Sequence, residues 1–146
     1  MARKYRVNRA ERAINAMFRL LTRLGLGAKY RHILTVGGRK TGRPYSTPVD
    51  VMERDGRRFL VAPYGVVNWV RNARAAGEVI LSRGGRTERV RVSELSPEAS
   101  APVLRQYISE VRVTRPYFDV TLESTDEEFA AEAPRHPVFE VQQSSS

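Results

Sequence analysis

The chain has 146 residues, a formal net charge of +9, 41% apolar residues and no cysteine. The length suits one domain with a real core, and the missing cysteines exclude a disulfide scaffold, a thiol nucleophile and any Cys-ligated metal centre. With only His32 and His136 a multi-histidine metal site is not expected, no apolar run is long enough to span a bilayer, and the lack of a signal-peptide core predicts a cytoplasmic protein.

Residues 9–26 carry Ala10, Ala13, Ile14, Met17, Phe18, Leu21 and Leu24 at three- and four-residue spacing, the pattern of an amphipathic helix. Asn8 caps it, and Gly25 and Gly27 end it. Arginines on its other faces suit either a helix packed on the core or one lying on an anionic membrane surface. The second choice would make the protein peripheral on the inner face of the cell membrane.

From Tyr30 the period changes to that of strands. His32–Val36, Tyr45–Met52, Phe59–Ala62, Val79–Leu81, Thr87–Val92 and Val138–Val141 are short, β-branched or alternating, and separated by turn residues. Arg54-Asp55-Gly56-Arg57 and Gly84-Gly85 read as hairpin turns, and Pro63–Val67 as a break. Trp69–Ala76 is a short helix between the third and fourth strands. Ser96-Pro97-Glu98 starts a second helix running through Ile108, with Pro102 inside it. Residues 114–135 are irregular except for a short helix at Asp126–Ala131, whose acidic start suits the helix dipole, and residues 142–146 are expected to fray. The pattern predicts a small antiparallel β-barrel with flanking helices, an α+β fold in one domain.

Basic charge is unevenly spread: residues 1–60 hold 15 Lys+Arg against 4 Asp+Glu, whereas residues 111–146 hold 3 against 7. The preference for arginine over lysine suits either codon usage or planar, bidentate recognition of phosphate and carboxylate, and a basic half calls for an anionic partner. Nucleic acid is set aside, because no helix-turn-helix, zinc or stacking motif accompanies the charge. The densest cluster is Gly37-Gly38-Arg39-Lys40-Thr41-Gly42-Arg43, where backbone N–H groups, cationic heads and a hydroxyl converge as an oxyanion requires. It is neither a P-loop nor a dinucleotide fingerprint. The plainer alternative is an ordinary basic hairpin turn.

Leu34-Thr35-Val36-Gly37-Gly38-Arg39-Lys40-Thr41-Gly42-Arg43-Pro44 resembles the N-terminal signature of the deazaflavin-dependent nitroreductase family, split β-barrel oxidoreductases of actinobacteria. Thr47-Pro48, Leu60-Val61-Ala62-Pro63-Tyr64-Gly65, the run from Asn68 to Gly77 and Arg135-His136-Pro137-Val138-Phe139 extend the resemblance over about residues 28–141. It implies an FMN-binding-like split barrel that binds coenzyme F420, and an F420H2-dependent reductase acting on a small hydrophobic acceptor: a quinone, nitro compound or activated C=C. On the same resemblance, Arg39, Lys40, Thr41 and Gly42, aided by Arg43 and Pro44, would hold the phosphate and tail carboxylates. Thr47, Pro48, Val49 and Asp50 would line one edge of the ring, and Ala62, Pro63, Tyr64 and Gly65 another. Trp69 either walls the pocket or packs in the core, while Arg71 and Asn72 pin the loop or the coenzyme. Tyr64, Tyr117 or water would supply a proton to the acceptor.

Two positions depart from the family pattern: Tyr45, where relatives carry arginine, and Asp50, where they carry tyrosine. Two alternatives keep the fold: a fatty-acyl or isoprenoid carrier at the membrane, and an FMN-dependent oxidoreductase. Monomer and homodimer are both compatible with the sequence. His32 reads as a surface or packed histidine.

Overall fold

The structure, a computed structural model, describes residues 31–143. The elements follow in the order β1 (Arg31–Gly37), β2 (Pro44–Arg54), β3 (Arg57–Val61), α1 (Asn68–Ala76), β4 (Glu78–Arg83), β5 (Arg86–Glu94), α2 (Pro97–Glu110), a 3₁₀ segment (Arg112–Tyr117), α3 (Asp126–Glu132), a second 3₁₀ turn (Ala133–Arg135) and β6 (Val138–Gln143). The strands close into a barrel in the order β1-β2-β3-β6-β5-β4, every pairing antiparallel. The helix expected at 9–26 lies outside the described residues.

Side chains in a strand point alternately to opposite faces, and here the two faces bury different cores. Leu34, Val51, Leu60, Val79, Leu81, Val90, Phe139 and Val141 fill the barrel. The register sets them opposite one another, as in Val51 with Leu60 and Leu60 with Phe139. The alternate residues Met52, Phe59, Val61 and Val138 face outward, where Leu104, Tyr107 and Ile108 of α2 and Phe129 of α3 cover them. Val70 and Ala73 of α1 join the interior cluster, so α1 closes one end of the barrel.

Local chemistry sets the helix limits. Ser96 accepts from Ala99 N–H (3.2 Å) ahead of Pro97, and Thr125 and Glu128 form a reciprocal capping box on α3. α2 runs unbroken through Pro102. Two boundaries differ from expectation. Residues 112–117, expected to be largely irregular, form a 3₁₀ turn. β6 continues to Gln143 because Gln142 and Gln143 pair with Arg91 and Val90 of β5, so the chain stays ordered past Val141. Among the described residues no helix is long and apolar enough to cross a membrane, and no group of residues is placed to hold a metal ion.

Candidate functional site

Residues 38–43 join β1 to β2 as a tight elbow. Gly38 N–H donates to Arg43 O and Gly42 N–H to Gly38 O, both at 2.8 Å, and Arg43 N–H donates to Thr41 Oγ1 at 3.2 Å. Gly42 takes a positive φ of 77°. A Cβ on Gly38 would stand 2.8 Å from Tyr45 Cε2 and 3.3 Å from Arg43 O, so glycine is what lets the Tyr45 ring lie against the elbow. From α1, the buried Asn72 side-chain carbonyl accepts both Arg39 N–H (3.0 Å) and Arg39 Nη1–H (2.9 Å). One oxygen thus fixes the elbow's main chain and aims its guanidinium.

The elbow, β2, the turn after β3 and the start of α1 enclose a cavity of about 930 Å³, within the range of small-ligand sites. Arg31, Arg39, Lys40 and Arg71 bring positive charge to its lining, and Asp50 is the one carboxylate there among the described residues. Pro48, Val61, Pro63, Tyr64, Val66 and Trp69 give it an apolar body. Lys40 and Arg71 are exposed and pair with no carboxylate among the described residues. A flat, largely apolar molecule with an anionic arm fits this set of cations together with apolar and aromatic surface.

Asp50 is buried and already engaged. Its cross-strand neighbour Arg31 donates Nε–H to Oδ1 (2.9 Å), and Tyr107 donates its hydroxyl to Oδ2 (2.5 Å). Burial first, then the adjacent Asp50 charge, pushes the Tyr107 phenol well above the ordinary tyrosine value, against an opposing hydrogen bond with Thr114. Tyr107 therefore remains a neutral donor through the physiological range.

Tyr64 meets Tyr117 edge to face with ring centroids 4.9 Å apart. Behind them His136 is buried, its Nδ1 2.8 Å from Pro63 O and its Nε2 2.8 Å from Glu132 Oε2. Since a carbonyl only accepts, Nδ1 carries hydrogen. His136 also stacks on Phe118 at 3.8 Å. Burial lowers its pKa below the ordinary histidine value, while Glu132 and the Pro63 carbonyl pull the other way. Glu132 accepts further from Asp119 N–H (3.1 Å) and from Arg135.

Arg39, Lys40, Thr41, Thr47, Pro48, Val49, Asp50, Pro63, Tyr64, Trp69, Arg71 and Asn72 of the expected set lie in the lining. Trp69 also packs on Phe139, centroids 5.8 Å apart, so wall and core are one place. Six expected residues lie elsewhere. Ala62 follows Leu60 by two and turns into the barrel core. Gly42, Arg43 and Pro44 form the elbow's far limb, where Gly42 and Arg43 close the turn with their backbones. Gly65 donates its N–H to Ala62 O and faces the Arg135 carbonyl. Tyr117 reaches the site only through Tyr64. Arg31, Tyr45 and Val113 line the cavity without having been expected to. The register that sets Arg31 opposite Asp50 was a signal available for the first; Val113 depended on the unforeseen 3₁₀ turn.

Similar solved structures share the fold. A domain-swapped dimer matches with TM-score 0.56 at 17% identity, covering 91% of this chain and 96% of that one. An F420-H2 dependent reductase, FDR-A, matches with TM-score 0.52 at 21% identity, covering 78% and 95%. A protein of unknown function from Agrobacterium tumefaciens gives TM-score 0.60 at 16% identity, covering 99% of this chain and 60% of its own. The architecture is a split, FMN-binding-like barrel. No curated protein sequence matches the chain. The family model of the F420H(2)-dependent quinone reductases matches residues 8–130, which does not favour the lipid-carrier and FMN alternatives. The chain belongs to that family: it is an oxidoreductase, an F420H2-dependent reductase whose coenzyme is F420.

Proposed function

We propose that the cavity seats F420 with its anionic arm at the elbow and its ring along the apolar body, and that the acceptor is a quinone. The observation that carries this reading is the make-up of one cavity: Arg39, Lys40 and Arg71 share its lining with Pro63, Tyr64, Val66 and Trp69, and Asn72 holds Arg39 by two bonds to its side-chain oxygen. Guanidinium and ammonium groups bind phosphate and carboxylate by charge-assisted hydrogen bonds. When bound, the reduced coenzyme supplies a hydride from its deazaflavin ring to the acceptor.

The chain's own part is to bind, orient and exclude water. Asn72 holds Arg39 toward the arm. Pro48 and Val49 on one side and Pro63 and Tyr64 on the other confine the ring. Tyr64 Oη is the proposed proton donor to the reduced acceptor, with Tyr117 packed edge-on to hold its ring. The exposed Val113 and Tyr64 at the cavity offer apolar contact to an acceptor's ring or tail. Residues 9–26 are proposed to bring the protein to the membrane, where hydrophobic quinones reside, and the domain-swapped neighbour supports testing for a homodimer.

Titration of the protein with F420 and with FMN, read by cofactor fluorescence, tests the site. We expect saturable F420 binding and far weaker FMN binding; equal affinities would overturn the reading. Turnover with a short-chain quinone, a nitroaromatic compound and an enone tests the acceptor: kcat/KM is expected to be highest for the quinone. Co-sedimentation with anionic vesicles is expected to be lost on deletion of residues 1–27, and unchanged association would remove the membrane role.

A further inference from the structure

Glu132 and His136 are buried ionisable groups that the reaction as described does not use. Burying such a pair costs more than packing apolar side chains of the same volume unless its hydrogen bonds accomplish something specific. Here they end on the cavity wall. Pro63 has no N–H, and its carbonyl receives a ring N–H from His136 at 2.8 Å. Pro63 and Tyr64 line the cavity. The other face of the device is Phe118, stacked on the imidazole at 3.8 Å and followed in space by Tyr117 against Tyr64. The imidazole therefore touches both segments that carry the Tyr64–Tyr117 pair.

We propose that the Glu132–His136 pair is the positioning element for the Pro63–Tyr64 wall, and that the protons it holds set how well that wall receives the coenzyme. The proposal rests on the reading of this cavity as the F420 seat. Both contacts of the ring end on oxygens. Keeping both at 2.8 Å takes one hydrogen on Nδ1 and a second between Nε2 and Glu132 Oε2. The second proton belongs to the pair. Its loss on raising the pH leaves a bare nitrogen facing a carboxylate, or frees the Pro63 carbonyl if the ring changes tautomer. The groups facing the pair are Arg135 and the Asp119 it bridges to, with Asp119 N–H also on Glu132. Tyr107 of α2 lies behind Phe118, ring centroids 6.2 Å apart.

His136→Asn keeps a donor near Nδ1 for Pro63, whereas His136→Gln keeps one near Nε2 for Glu132 and strips the carbonyl. We expect His136→Gln to weaken F420 binding about tenfold, the effect of a buried carbonyl left without its donor, and His136→Asn to stay within about threefold. Wild-type affinity is expected to fall with rising pH in a single step, on the acid side of the ordinary histidine value because burial lowers His136, that His136→Asn lacks. The same step is expected in the aromatic NMR resonances of Tyr64 and Tyr117 recorded without coenzyme, and Glu132→Gln, which takes away the carboxylate that favours the second proton, should move it to lower pH. Equal affinities for the Asn and Gln variants, or tyrosine resonances that ignore the titration of His136, would overturn the proposal. Wild type failing to bind F420 would instead overturn the assignment of the cavity, leaving the NMR step as the separate judge of the pair. Thermal unfolding of each variant identifies one that has simply lost its fold, and Glu132→Gln then carries the comparison.

Discussion

The two ends of the cavity handle polar groups in opposite ways. Toward α2 and α3, Asp50, Tyr107, Glu132 and His136 are buried and spent on one another and on the backbone. At the elbow, Lys40 and Arg71 are exposed and pair with no carboxylate among the described residues, and Arg39 is aimed by a neutral amide. A carboxylate in place of Asn72 would have neutralised Arg39; an amide orients it and leaves its charge for a ligand. The buried end builds a wall, and the exposed end keeps its cations in reserve. Mutation at the buried end should therefore cost stability, whereas mutation at the elbow should weaken binding and leave stability unchanged.

The largest effect on stability is expected at Asp50. Asp50→Ala takes the carboxylate from both the Arg31 guanidinium and the buried Tyr107 hydroxyl, at a cost of about 3 kcal/mol, readable as a fall in the denaturant midpoint with unchanged m-value. Tyr107→Phe leaves one Asp50 oxygen without its donor, for about 1–2 kcal/mol. The phenol titrates higher in the folded chain than in the unfolded one. Its contribution is therefore whole below about pH 10 and lost as the pH climbs through the raised value. The stability gap between wild type and Tyr107→Phe should close in that alkaline range; a gap that widens there would contradict the burial argument. Lys40→Ala should leave stability within about 0.5 kcal/mol and still weaken coenzyme binding, so a comparable loss of stability would erase the contrast. Smallest of all is Arg74→Ala on the far side of α1. Its paired bonds to Glu94 (2.7 and 2.8 Å) are solvent-screened, and about 0.5 kcal/mol or less is expected.

What could be read from the sequence follows the same division. Strand alternation, glycine turns and caps are local, and all six strands and the three short helices appear where the pattern put them, differing only at their ends. The elbow was legible because its glycines and cations are contiguous. The buried clusters were not, because barrel closure makes them: Asp50 and Tyr107 are 57 positions apart, and Pro63 and His136 are 73 apart. Glu132 and His136 did leave a trace, being four residues apart at a helix end, but spacing alone does not say that a ring nitrogen will reach the Pro63 carbonyl. Ala62 was read as ring-lining from its neighbours, yet two-residue alternation from Leu60 already sends it inward. Glu128 lies in the acidic first turn of α3 that the sequence placed there, and its side chain does more than suit the dipole, closing a capping box on Thr125.

The most direct measurement is the F420 dissociation constant of the Arg39→Ala/Lys40→Ala double variant beside wild type, by fluorescence titration at two salt concentrations. An elbow that holds the anionic arm predicts affinity lower by about 10- to 100-fold, a shallower salt dependence and an unchanged unfolding midpoint. Wild-type affinity and wild-type salt dependence in the double variant would contradict it.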